Sequence, residues 1–174
     1  MPEYTHGGDL TGAETAYGGV VLDFSANLNP LGMPERVRRA AAESIVQAVH
    51  YPDPFCRRLK GAIARHDGVA QEHIFCGNGA ADVIFRLAHA LGAGRALVTA
   101  PTFSEYEQAL LRQGCQVERF PLRPERNFDL TEDFLEAVHP SIGAVFLCTP
   151  NNPTGRLISQ PLLMRILERC RVQR

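Results

Sequence analysis

The sequence lacks an excess of charge of either sign. Its 18 lysines and arginines nearly balance 19 aspartates and glutamates, so the formal net charge at pH 7 is -1. A chain without a net field has no long-range attraction for nucleic acid or for an anionic membrane surface. We therefore expect neither nucleic acid nor membrane among its partners.

Features that define other protein classes are also scarce. The five cysteines are widely spaced, form no CxxC pair and have no histidine at metal-ligand spacing, so we expect reduced thiols and no metal site. The N-terminus has no basic region followed by an apolar run, and no segment is apolar for long enough to span a bilayer. These absences favour a cytoplasmic protein. The cysteines are Cys56, Cys76, Cys115, Cys148 and Cys170.

The N-terminal part of the chain predicts an arm, one strand and two helices. Residues 1–19 are polar and rich in glycine with weak periodicity, which indicates an extended arm. The apolar run at 20–24 predicts a short strand. Helices are expected from residue 34 to about 49 and from about 55 to 66. The first of these helices has an apolar stripe at helical spacing, formed by Val37, Ala41, Ile45 and Val49.

From residue 74 onwards the pattern alternates between strands and helices. Apolar runs predict strands at 74–76, 95–100, 115–122 and 143–148, and helical patterns lie between and after them, including 131–138 and 159–170. Strands interleaved with helices predict a parallel sheet covered on both faces. In such sheets ligands bind at the carboxyl ends of the strands, so three strand-to-helix loops are expected to meet there. These loops are GNGAAD (Gly77–Asp82), APTFSEY (Ala100–Tyr106) and TPNNPTG (Thr149–Gly155).

The loop GNGAAD follows an apolar run and opens a helix. The amides of Gly79, Ala80 and Ala81 at a helix N-terminus suit a phosphate dianion, although a tight turn that begins a helix with small residues explains the motif equally well. The loop has neither the GK[ST] ending of a Walker loop nor the pattern GxGxxG. A nucleotide-binding module therefore has no specific support.

The other two loops have groups suited to a flat ring. Phe103 in APTFSEY is placed to stack on a planar heterocycle, while ordinary packing under the helix is the simpler explanation. TPNNPTG carries the carboxamides of Asn151 and Asn152, and a carboxamide can donate to a phenolate-like oxygen. An Asx turn explains one asparagine more easily than two.

Five motifs, in this order and spacing, resemble the class I/II aminotransferases of PLP fold type I, especially the histidinol-phosphate aminotransferase branch: SANLNPLG, YPDP, GNGAAD, APTFSEY and CTPNNPTG. Within that branch, HGGD followed by LDFSANLNPLGMP is most similar to the threonine-phosphate decarboxylases of cobalamin biosynthesis. The resemblance implies an α/β fold. Residues 1–34 would form an N-terminal arm and the start of a small domain, and residues 35–174 the N-terminal part of the PLP-binding large domain, a mostly parallel sheet with helices on both faces.

The resemblance also implies pyridoxal 5'-phosphate (PLP) as the cofactor. By matching position, Gly79, Ala80 and Ala81 would hold its phosphate, Phe103 would stack on its pyridine ring, and Asn152 would hydrogen-bond its phenolic oxygen.

Three further residues match family positions near the N-terminus. Tyr51 would reach across a homodimer interface toward the cofactor phosphate in the partner's site. His6 and Asn27 match positions that contact a small phosphorylated amino acid or amino alcohol substrate. For these two, a surface arm residue and a loop-capping asparagine are competing explanations.

No residue of the sequence matches the lysine that forms a Schiff base with the cofactor. Lys60 is the only lysine among 18 basic residues, and it lies in the helix after YPDP. We expect the Schiff-base lysine beyond Arg174. This chain would then contain no catalytic residue. It would be a truncated product or a fragment that associates with a separate remainder. The complete enzyme would decarboxylate threonine phosphate to aminopropanol phosphate. The alternatives are a histidinol-phosphate-type transaminase and a non-catalytic remnant that binds PLP or phosphate.

Overall fold

A computed structural model describes residues 7–19 and 21–172 of the chain. The chain divides into two compact units, Met1–Phe55 and Cys56–Arg174. The division falls between Phe55 and Cys56, and the domain boundary expected after residue 34 stays a prediction. Within the described ranges, no helix combines the length and the apolar character that crossing a bilayer requires.

The described part of the first unit contains two short helices, α1 (Leu10–Tyr17) and α2 (Glu35–Ser44), and a 3-10 turn at Ile45–Val49. The expectation of an extended arm is wrong for α1. The helix begins where the Asp9 carboxylate accepts a hydrogen bond from the Gly12 amide at 2.9 Å, and it ends at Gly18, whose φ of 66° is left-handed.

This unit has no buried core among its described residues. None of the residues of α1, α2 or the 3-10 turn is buried, and the stripe residues Val37, Ile45 and Val49 are 49%, 70% and 82% exposed. The run at 21–24 is not a strand, which contradicts the sequence prediction. A strand needs a hydrogen-bonded neighbour, and the described part of this unit offers none.

The second unit is an α/β layer structure. Its 3-10 turns lie at Gln71–His73 and Pro124–Arg126. In chain order its helices and strands are α3 (Arg57–Asp67), α4 (Gly79–Leu91), β1 (Arg95–Ala100), α5 (Ser104–Arg112), β2 (Gln116–Pro121), α6 (Phe134–Ala137), β3 (Ala144–Phe146) and α7 (Gln160–Val172).

The described strands form one parallel sheet in the order β2-β1-β3. Arg95 pairs with Gln116 on one side of β1, and Ala96 pairs with Ala144 on the other. The predicted parallel sheet is therefore confirmed. The prediction of a strand at 74–76 is wrong, because this segment has no regular secondary structure and is not part of the described sheet.

Helices cover both faces of the sheet, as the alternating pattern predicts. Successive side chains of β1 point to opposite faces. Ala96 and Val98 pack with α4 and α5, whereas Leu97 packs with α6 and α7. All three β1 residues are at most 1% exposed, and burying a side chain the size of Leu97 stabilises the fold by about 1.5–3 kcal/mol.

The helix predicted at 131–138 is shorter than expected, since only α6 at Phe134–Ala137 is helical. The preceding residues 131–133 form hydrogen-bonded turns, in which the amide of Phe134 donates to Thr131 O at 3.1 Å. Phe134 is fully buried and packs edge-on against Phe120 at 5.1 Å between ring centroids. The short helix thus serves mainly to place one aromatic side chain under the sheet.

A charged cluster joins the sheet to the loop before β3. The Glu118 carboxylate on β2 accepts from Arg95 Nη1 of β1 at 2.6 Å and lies 3.1 Å from His139 Nε2. The hydrogen bond from Arg95 lowers the pKa of Glu118, and His139 lowers it further. Glu118 therefore stays ionised at neutral pH and holds three segments together.

Candidate functional site

Two of the three predicted loops are joined by hydrogen bonds at the carboxyl ends of β1 and β3. Thr102 Oγ1, just after β1, donates to Asn151 Oδ1 in the loop after β3 at 2.8 Å. Asn151 Nδ2 donates back to Pro101 O at 3.0 Å. The loops APTFSEY and TPNNPTG therefore form one surface at this edge, as expected from parallel strands.

The two adjacent asparagines have different environments. Asn151 is 6% exposed, and its Nδ2 also donates to Thr154 Oγ1 at 2.9 Å. Asn152 is exposed, and its carboxamide makes no hydrogen bond within the described chain. Asn151 therefore has a structural role, whereas the carboxamide of Asn152 is available to a ligand. The residue types alone leave open which asparagine is free, and the family resemblance names Asn152.

Phe103 lies at the start of α5, next to the Asn151 contacts. Its ring is half-buried and makes an edge-to-face contact with Tyr106 at 5.7 Å and 88°. Tyr106 in turn packs against Phe146 of β3 at 5.5 Å. Phe103 is thus supported from the core and keeps part of its ring accessible, so both packing and stacking remain open to it.

Tyr106 is a residue of this edge that the sequence analysis did not assign. Burial raises its pKa to about 12, and an interaction of its hydroxyl with the Cys148 thiol adds to the shift. Cys148 Sγ donates to Pro150 O at 3.3 Å. A neutral tyrosine therefore links α5 to the loop after β3. In the sequence, the one hint of this contact is that Cys148 lies directly before TPNNPTG.

The third loop begins α4 at the same edge of the sheet. His89 Nδ1 lies 3.0 Å from Gln113 Oε1, and this contact joins the C-terminal ends of α4 and α5. The two helices also share the core around Ala88 and Ala109. They run side by side in the same direction, so both helices start toward the carboxyl ends of the strands.

The first turn of α4 is open to a ligand. Gly79 has a left-handed φ of 79°, and a Cβ placed on it would meet no atom within 4 Å. The Asn78 side chain makes no capping bond. In the described structure no group outside the helix accepts from the amides of Ala80 and Ala81. The two free N–H groups and the helix dipole fit the phosphate of a cofactor.

Asp82 places a negative charge beside this turn, and its partners neutralise that charge. Its carboxylate accepts from Arg86 Nε at 2.7 Å and from the Asn78 amide at 2.9 Å. The hydrogen bond from Arg86 lowers the pKa of Asp82 most, followed by that from Asn78. The carboxylate thus binds one helix-start amide itself and leaves those of Ala80 and Ala81 to a ligand.

The remaining predicted residues are not part of these three loops. Asn27 and Tyr51 belong to the first unit, where both are exposed, and His6 lies outside the described residues. Lys60 lies on α3, outside the three loops. Across the described ranges, no group of three or more His, Cys, Asp or Glu residues is arranged to hold a metal ion.

Comparison with known proteins identifies the family. The family "Aminotransferase class I and II" matches residues 20–174. Threonine-phosphate decarboxylase of Salmonella typhimurium is 44% identical over 95% of this chain and 46% of that protein. Histidinol-phosphate aminotransferase of Bacillus subtilis subsp. natto is 31% identical over 97% of this chain and 48% of that protein. The chain belongs to the class I and II aminotransferase family.

Solved structures confirm the fold. Histidinol-phosphate aminotransferase from Clostridium acetobutylicum superposes with a TM-score of 0.75 at 28% identity, over 85% of this chain and 43% of that one. The fold is thus that of PLP fold type I, and members of this family depend on pyridoxal phosphate. The chain spans about half the length of the curated relatives it matches.

Proposed function

We propose that the three loops form the N-terminal part of a PLP site. The free amides of Ala80 and Ala81 would donate to the cofactor phosphate, Phe103 would stack on the ring, and Asn152 Nδ2 would donate to the phenolic oxygen. The observation that carries this proposal is the hydrogen bond from Thr102 to Asn151, which joins the loop of Phe103 to the loop of Asn152, while the Asn152 side chain is exposed.

For the complete enzyme we propose decarboxylation of L-threonine O-3-phosphate to aminopropanol phosphate. The support is the 44% identity to a threonine-phosphate decarboxylase, against 31% to a histidinol-phosphate aminotransferase, over nearly the same part of the chain. When bound, the cofactor supplies an electron-withdrawing ring that would stabilise the electron pair that stays on the α-carbon when carbon dioxide leaves. His6 and Asn27 would bind the substrate phosphate, and Tyr51 would act across a homodimer interface.

The chain alone would bind the cofactor without turnover. Its single lysine, Lys60, lies on α3 and belongs to none of the three loops, so we expect no lysine of the chain to react with a ring held by Phe103 and Asn152. Borohydride reduction in the presence of PLP, followed by peptide mass spectrometry, tests this. Lys60→Arg is the control. Stoichiometric fixation on Lys60 would contradict the proposal.

Binding is tested by calorimetry with PLP, pyridoxal and inorganic phosphate. We expect PLP to bind more tightly than either of its parts, because the amides and the ring contacts act on one molecule. Phe103→Leu and Asn152→Ala should weaken PLP binding and leave phosphate binding unchanged. The change Asn127→Asp in an exposed loop should alter neither, because aspartate tolerates the left-handed backbone at this position. Equal affinity for PLP in all four proteins would exclude this site.

The substrate is tested with chimaeras. Residues 1–174 are joined to the C-terminal half of the Salmonella decarboxylase and, separately, to that of the Bacillus aminotransferase. We expect the first chimaera to release carbon dioxide from threonine phosphate, and His6→Ala and Asn27→Ala to raise its KM. Activity only in the second chimaera, by amino transfer from histidinol phosphate, would favour the alternative transaminase. If both chimaeras bind PLP and neither is active, the result would favour a binding remnant.

A further inference from the structure

We propose that Asn151 is a positioning residue that fixes the spacing between Phe103 and Asn152. The inference rests on the proposed cofactor site and assigns Asn151 no contact with the cofactor itself. Its effect would pass through the two neighbouring residues that do make contact.

The connectivity supports this role. The hydrogen bond from Thr102 Oγ1 to Asn151 Oδ1, at 2.8 Å, joins the residue before Phe103 to the residue before Asn152. Phe103 and Asn152 therefore each directly follow a residue that takes part in this hydrogen bond. A change in this bond shifts both groups relative to each other, although they are far apart in sequence.

The side chain of Asn151 uses both ends of its carboxamide. Its oxygen accepts from Thr102, while its nitrogen donates to Pro101 O at 3.0 Å and to Thr154 Oγ1 at 2.9 Å. An aspartate carboxylate has the same shape but cannot donate. It would face the Pro101 carbonyl with a second acceptor, so only the carboxamide satisfies all three partners.

The backbone of Asn151 also fixes its own loop. Its amide donates to Arg156 O at 2.8 Å, and its carbonyl accepts from the Gly155 amide at 2.6 Å. The side chain is 6% exposed, so water is poorly placed to replace a lost partner. A buried polar group without its partner is costly, and this cost keeps the two loops together.

The test compares Asn151→Asp and Thr102→Val with the surface control Asn127→Asp, which makes the same chemical change in an exposed loop. For Asn151→Asp we expect PLP affinity to fall about tenfold, the size of effect that one lost buried hydrogen bond produces. Thr102→Val should give a smaller loss in the same direction. Affinity for inorganic phosphate should stay unchanged, because the hydrogen bonds of Asn151 do not involve the first turn of α4.

Amide hydrogen exchange of the cofactor-free chain provides an independent measurement. In Asn151→Asp we expect faster exchange in residues 102–106 and in residues 152–156 together, and in neither segment for the control. If the wild-type chain fails to bind PLP, the proposed function falls, and exchange alone decides the inference. Unchanged exchange in 102–106 overturns it, as does an equal loss of PLP and phosphate affinity.

Discussion

Replacing Gly77 with alanine should disturb the first turn of α4 through one extra methyl group. A Cβ at position 77 would lie 2.7 Å from Val83 Cγ2 and 2.8 Å from Asp82 Oδ2. Both distances are shorter than real Cβ contacts, so both side chains must move. Asp82 Oδ2 is also the acceptor for the Asn78 amide, and that hydrogen bond should weaken.

The size of the effect follows from two opposing terms. Overpacking by one methyl group costs about 1–3 kcal/mol. Alanine restricts the unfolded chain more than glycine does, which offsets about 0.4–1 kcal/mol. At the midpoints of these two ranges, the free energy of unfolding should therefore fall by about 1.3 kcal/mol. A displaced Asp82 carboxylate would also repel phosphate, so phosphate affinity should fall as well.

Urea denaturation of Gly77→Ala and Gly94→Ala is the decisive comparison. A Cβ on Gly94 would meet no atom within 4 Å, and its φ lies outside the left-handed region. Gly94→Ala should therefore stabilise the chain by about 0.4–1 kcal/mol through the unfolded state alone. If both variants shift the midpoint in the same direction by the same amount, the steric reasoning is wrong.

Three further predictions concern the sheet and its edges. The pKa of Tyr106 is raised from 10.0 to about 12, so its contribution to stability is complete below about pH 10 and is lost as the pH rises through about 12. Tyr106→Phe should lack this decline in alkaline melting experiments. The pKa of Glu118 is lowered by Arg95 and His139, so its contribution is complete above the unfolded value of about 4.3 and is lost as the pH falls further. Glu118→Gln should flatten the acid limb of a stability profile, and an unchanged limb would show that the cluster is not formed. Leu97→Ala should cost about 2–5 kcal/mol in urea denaturation, against about 0.5 kcal/mol for the half-exposed Leu87→Ala, and equal costs would contradict the placement of β1 at the centre.

The sequence is enough to predict the layer structure of the second unit. Its parallel sheet follows from the alternation of apolar runs with helical patterns, because helices on both faces require parallel crossovers. The apolar run at 74–76 is the exception, because it does not form a strand. An apolar run indicates burial but does not show whether a neighbouring strand exists to pair with it.

Details of the candidate site depend on contacts between distant residues. Asn151 and Asn152 are alike in residue type, and two of the three side-chain partners that distinguish the buried Asn151, Pro101 and Thr102, lie about 50 positions earlier in the chain. The link from Tyr106 to Cys148 is likewise invisible in either loop alone. The helix α1 is a different case. Asp9 and Gly18 are start and stop signals that the sequence shows, but the weak apolar periodicity between them does not indicate a helix.

The alternation of side chains along β1 has a consequence for how the second unit unfolds. Ala96 and Val98 belong to one apolar layer and Leu97 to the other, so a single strand of six residues is shared by both. Neither layer can melt while the other stays intact, because loss of β1 removes the centre of each. The unit should therefore lose its structure in one cooperative transition, with coincident curves from probes placed on opposite sides of the sheet.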